Sequence, residues 1–170
     1  MKKHAVISDC GKYRYSLTRR WSDLPLVTFV MLNPSTADAE NDDPTIRRCI
    51  AFAKKWNFGG IRVLNLFAVR ATDPKNMYLA TDPVGAENKE HFDRAFRYAD
   101  KDEMIVCAWG VHGDFMGQDE QVLGWFDSYC LKVQCLGVTK NGQPRHPLYI
   151  SSYALPMRYW GKAGKRATNG

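Results

Sequence analysis

Long apolar runs are missing from this chain: none reaches the roughly 18–20 residues that a membrane span requires. Met1-Lys2-Lys3-His4 is basic, but Ala5-Val6-Ile7 is too short for the apolar core of a signal peptide. No membrane partner is expected, and the protein reads as soluble and cytoplasmic. The five cysteines (Cys10, Cys49, Cys107, Cys130, Cys135) form no C-x-x-C pair and share no zinc spacing with the four histidines. An odd, unpatterned set of thiols suits a reducing compartment. No metal and no other cofactor is therefore expected. No glycine-rich loop matches a nucleotide P-loop, which argues against ATP hydrolysis. Internal repeats, linkers and low-complexity segments are absent as well.

What is present suits one globular domain: 170 residues, 45% hydrophobic and 25% charged. The net charge of +6 is unevenly placed. Arg158, Lys162, Lys165 and Arg166 carry four of those charges, in a final stretch with no acid. The expectation is a single α/β domain over residues 1–157, near +2, followed by a basic, disordered tail over 158–170. Such a tail offers weak contact with DNA, or serves solubility alone.

Short β-like runs flank Asp9-Cys10-Gly11-Lys12, a hairpin pattern in which Arg14 alternates with Tyr13 and Tyr15. Apolar runs at 26–32, 61–69, 104–109 and 132–138 read as central strands, the second apolar enough to be buried on both faces. Between them lie three helical patterns. The first, over 45–56, opens on Asp43 as N-cap and Pro44 at the first helical position. Asp82-Pro83 repeats that signal before a pattern ending near Tyr98, and the third covers 118–129. Alternating strands and helices predict a three-layer α/β/α sandwich around a central, mainly parallel four-stranded sheet, with an N-terminal β-hairpin beside it.

The strands end on chemistry. The first stops at Asn33-Pro34-Ser35, where proline cannot continue the ladder; the second contains Asn65; the third runs into Gly110; the fourth is followed by His146-Pro147. In open α/β sheets, ligands bind at that edge. Asn33 can orient a water, though it is no strong base. Asn65 carries a donor and an acceptor for an amide or nucleobase edge. His146 can donate to a developing anion, and His112 lies in a glycine loop above the same edge. Cleavage of an N-glycosidic bond needs a positioned water, a reader of the base and stabilisation of the departing base. Each residue also has an ordinary reading: Asn33 as a turn cap, Asp43 as a helix cap paired with Arg47, Arg47 and Arg48 as a solvated helix face.

With these motifs in view, the chain resembles the uracil-DNA glycosylase superfamily. Leu32-Asn33-Pro34-Ser35 is similar to the first motif of its mismatch-specific branch, in which an Asn before Pro positions the hydrolytic water. Residues 62–71 resemble the strand whose Asn reads the pyrimidine edge. Residues 106–110 resemble the third strand and its glycine, and Arg145-His146-Pro147-Leu148 the motif whose imidazole stabilises the leaving base. Nearly end to end, the pattern also resembles a family of small bacterial and phage proteins of unknown function, domain-of-unknown-function family 1643. Residues 13–21, 31–38, 42–49 and 145–149 carry that second likeness. Residues 35–45 depart from the glycosylase pattern: they hold no aromatic but four acids, Asp38, Glu40, Asp42 and Asp43. Acids beside a cleft oppose phosphate binding, so uracil excision from duplex DNA is not expected.

Two functions follow as expectations. In the first, an enzyme acts on a nucleobase, nucleoside or modified DNA base, with Asn33 and His146 catalytic and Ser35, Asn65, Gly110 and His112 binding substrate. In the second, a protein sequesters a nucleotide without reaction, with Arg19, Arg20 and Arg70 supplying phosphate contacts.

Overall fold

A computed structural model describes residues 1–162. Strands β1 (Lys2–Ile7) and β2 (Arg14–Arg20) form the expected hairpin. Then follow β3 (Leu26–Met31), α1 (Pro44–Lys55), β4 (Gly60–Asn65), α2 (Pro74–Leu79) and α3 (Asn88–Arg97). β5 (Met104–Cys107), α4 (Gln118–Ser128), β6 (Gln134–Cys135) and β7 (Met157–Arg158) complete the order, with short 3₁₀ turns at Phe115–Gly117 and Pro147–Tyr149. No described helix is long and apolar enough to cross a membrane.

The fold is mixed α/β, built on one seven-stranded mixed sheet in the order β1-β2-β4-β3-β5-β6-β7. This corrects the expected four strands. The hairpin is not an appendage: β2 pairs antiparallel with β4, Leu17 opposite Val63, and so covers an edge that would otherwise present unpaired backbone groups. At the far side, β7 pairs antiparallel with β6. Between these flanks β3 lies parallel to both β4 and β5, and β5 parallel to β6.

Side chains alternate across the sheet as a strand's period of two requires. Val27, Phe29, Ile61, Val63 and Val106 pack with α1 residues such as Ile46, Cys49 and Phe52. Val30, Leu64, Ile105 and Cys107 pack on the opposite side with Phe92 and Phe96 of α3 and Val122 and Phe126 of α4. Helices thus cover both faces of the sheet.

Two local expectations fail for tertiary reasons. Asp82-Pro83 starts no helix: the carbonyls of Pro83 and Val84 accept hydrogen bonds from Val69 and Ala68, so the segment runs beside the end of β4 and α3 begins at Asn88. A third Asp-Pro pair, Asp73-Pro74, does start one, with Asp73 capping α2 at the Lys75 N–H. The C-terminal boundary also moves. Arg158 belongs to β7, Tyr159 is buried with its hydroxyl donating to the Gly142 carbonyl at 3.0 Å, and Lys162 pairs with Asp119 at 3.0 Å. The rest of the expected tail, 163–170, lies outside the described residues.

Candidate functional site

The chain leaves β3 for α1 and β4 on one side of the sheet, and later returns to β5 on the other. Strand order therefore reverses between β3 and β5, and the loops beyond their carboxyl ends must part. A cavity of about 590 Å³ opens there. Asn33 and Ser35 line it from the loop after β3, Gly110 and His112 from the loop after β5, and His146 from the loop after β6. Five of the expected site residues thus meet in one wall.

The loops are held by specific bonds. The Asn33 Nδ2 donates to the Ala71 carbonyl at 2.8 Å and to the Pro34 carbonyl at 3.1 Å, while its Oδ1 accepts nothing among the described residues. The amide is turn cap and open acceptor at once. Gly110 has φ of 78°, and its N–H donates to the Pro144 carbonyl at 2.8 Å. A side chain there would be strained, and the turn draws the β5 loop against the segment carrying His146.

His146 caps the Pro147–Tyr149 turn, its Nδ1 accepting from the Leu148 N–H at 3.3 Å. An Nδ1 that accepts cannot bear the proton, which fixes the proton on Nε2 of the neutral ring. Burial pushes the pKa below the usual imidazole range, against the opposing charge of Asp43. His112 stands at the cavity with its Nδ1 2.9 Å from the Tyr78 hydroxyl.

Beneath these loops Trp109 is buried, and its Nε1 donates to Gln143 Oε1 at 2.7 Å. Gln143 Nε2 donates in turn to Asp119 at 2.9 Å, and Asp119 meets Lys162. At Gly113 a Cβ would lie 2.0 Å from the Trp109 ring, so only glycine lets the loop lie on the indole. This network fixes the Trp109 face of the cavity.

Three expected site residues are absent from the wall. Arg19 is fully buried and internally saturated: Nε on Asp42 at 2.7 Å, and the terminal nitrogens on the carbonyls of His4, Thr18, Asp38 and Asn41. It holds the acidic loop against the hairpin and has no donor to offer a phosphate. Arg70 reaches outward to the Gly11 carbonyl at 3.3 Å. Asn65 is 2% exposed, in register with the wall residue Met31 but itself outside the wall. Its Nδ2 has no partner among the described residues, and its carbonyl accepts from Asn88 at 2.9 Å.

Other residues take their place. Arg14, Asp43, Arg145 and Tyr149 line the cavity. Strict alternation along β2 would put Arg14 in solvent. A register shift at Val6–Ile7 breaks the pattern, and both Arg14 and Tyr15 are buried. No local signal announces that shift. Burial pushes the Arg14 pKa down to about 10, with Asp43 the leading opposing charge. Asp43 caps α1 as expected, Oδ1 on the Ile46 N–H at 2.9 Å, but Arg47 bonds the Asp42 carbonyl at 2.5 Å rather than Asp43. Two of the remaining acids are engaged elsewhere, Asp42 on Arg19 and Asp38 on the Glu40 and Asn41 N–H groups, and Glu40 is exposed. Among the described residues, no three His, Cys, Asp or Glu side chains gather as a metal site.

A family model described as "Protein of unknown function (DUF1643)" matches residues 14–148. The chain belongs to that family. No curated protein and no solved structure matches it.

Proposed function

We propose that this member of the family binds a nucleoside-type ligand in the cavity beyond β3 and β5 and hydrolyses its N-glycosidic bond. The observation that carries the reading is a neutral His146 sharing one wall with the open acceptor of Asn33 and the carboxylate of Asp43. Asn33 Oδ1 orients a water toward the anomeric carbon. The water oxygen bonds to that carbon as the carbon–nitrogen bond breaks, and the bonding pair leaves with the base. His146 Nε2–H donates to the departing base. The second oxygen of Asp43, which no described residue bonds, accepts the water proton. A preorganised donor of this kind accelerates such a step by about 10²–10³-fold.

The resemblance of the strand-end motifs to the uracil-DNA glycosylase superfamily supports the same reading, and with it a glycosylase-like three-layer sandwich. A cavity of this volume accepts a small ligand whole. The reading therefore covers free nucleosides and nucleotides as well as a modified base taken out of DNA.

The second reading, a nucleotide-binding protein without turnover, is favoured by one observation: the Asn33 amide donor is engaged in its own turn, leaving a single acceptor to act on water. Incubating the full chain with nucleosides, nucleotides and base-modified oligonucleotides, and resolving free base by chromatography, separates the two. Base release by the wild type, reduced about 10²-fold in His146→Asn and Asn33→Ala, establishes the enzyme. Tight binding with ligand recovered unchanged establishes the binder. Absence of both overturns the site.

A further inference from the structure

β2 buries two arginines, and the protein treats them differently. Arg19 is enclosed by a carboxylate and four carbonyl oxygens. Arg14 is 2% exposed, yet its side chain makes a single hydrogen bond among the described residues, from Nη1 to the Ala37 carbonyl at 2.8 Å. Its Nε is buried without a partner, and no described carboxylate stands within ion-pair distance. A buried guanidinium has five N–H donors and a large desolvation cost, which only an anion or several acceptors offset. Arg14 lines the cavity. So does Arg145, whose side chain makes no hydrogen bond or ion pair among the described residues.

We propose that Arg14 and Arg145 form a phosphate subsite, so that the ligand of this cavity is a mononucleotide carrying a phosphomonoester. The proposal rests on the nucleoside reading above and narrows it. Planar guanidinium forks match phosphate oxygens bidentately, which a lone ammonium does not. Asp43, the carboxylate in the same wall, already faces the first turn of α1 through Oδ1, and two guanidiniums outweigh it. A monoester ends in three free oxygens and can reach a side chain this deeply buried. An internal diester must carry chain past it in both directions.

The test is calorimetry on the full chain with the four common nucleosides, their 5′-monophosphates, and dinucleotides bearing only an internal phosphodiester. Inorganic phosphate, read by thermal shift, serves as a probe independent of the base. The expected result is a monophosphate bound about tenfold or more tightly than its nucleoside, a dinucleotide no tighter than a nucleoside, and a higher Tm in phosphate. In Arg145→Gln and Arg14→Lys, each checked for a cooperative unfolding transition, the advantage of the monophosphate collapses toward unity. Equal affinity for nucleoside and monophosphate overturns the subsite. So does an advantage that persists in either folded variant, or a dinucleotide that binds as well as the monophosphate. Phosphate-dependent binding without base release removes the glycosidic reaction and keeps the subsite; base release indifferent to phosphate does the reverse.

Discussion

His146 is held neutral by two effects that act on different atoms. Burial disfavours the imidazolium, and the Leu148 N–H occupies Nδ1. Protonation would set one donor against another at Nδ1 and release the cap of the Pro147–Tyr149 turn. Because the folded-state pKa lies below that of the unfolded chain, His146 binds its proton more readily when unfolded. The stability it contributes is held above the unfolded value, near 6.5, and lost as pH falls through the folded one. Urea unfolding between pH 7 and 5 should show stability falling with pH. His91, also lowered by burial, shares in that slope. The part due to His146 is the difference from His146→Asn, whose curve should be flatter. Any activity of the cavity should fall along the same acid limb; a limb unchanged in the variant would assign it to another group.

At the scale of elements, α1 does more than cover the sheet. Its basic face, expected to be solvated, reaches the segment that follows His146: Arg48 donates to the carbonyls of Pro147 at 3.3 Å and Ile150 at 2.6 Å, and Lys55 to that of Ser152 at 3.0 Å. Arg48 is outside the cavity wall, so Arg48→Met tests positioning alone. It should cost about 1 kcal/mol in urea unfolding, less than the roughly 1.5–3 of a charged hydrogen bond because solvent screens a half-buried site. It should also weaken any His146-dependent step while leaving the cavity's shape intact. The same helix shows what sequence can reveal. Asp43-Pro44 announces α1 because the N-cap bond closes within three residues, a purely local event. Asp82-Pro83 carries the same letters and fails because distant N–H groups of Val69 and Ala68 claim the carbonyls that follow. The strand ends bearing Asn33, Gly110 and His146 are legible through apolar runs that stop at turn residues. Arg14 is not, since its burial goes with a bulge in β2 itself, where Tyr15 is the extra residue between the pairs Val6–Ser16 and Ile7–Arg14, and Arg19 looks as available as Arg14 until its partners are placed.

For the whole molecule, the switch point between β3 and β5 explains why residues more than a hundred positions apart share one cavity, and charge explains what that cavity should not bind. The wall sets only Arg14 and Arg145 against Asp43, enough for one phosphate, and of the acids in the adjoining loop Asp42 and Asp38 are engaged with protein partners while Glu40 is exposed. Duplex DNA draws its affinity from released counterions, and a body that carries only +4 over residues 1–162 gains little from it. Weak DNA contact, where it exists, is therefore expected from the C-terminal charges. Arg158 and Lys162 belong to the fold, the first in β7 and the second paired with Asp119 and Glu120. That leaves Lys165 and Arg166 as the charges removable without cutting into the sheet. Deleting residues 163–170 should lower DNA affinity and reduce the slope of log K against log salt by about 2, close to 0.9 for each phosphate no longer neutralised. Binding of mononucleotides to the cavity should not change. Fluorescence anisotropy with a labelled duplex at several salt concentrations reads both the affinity and the slope. An unaltered slope would place the DNA contact on the body, and with it a path from duplex to cavity.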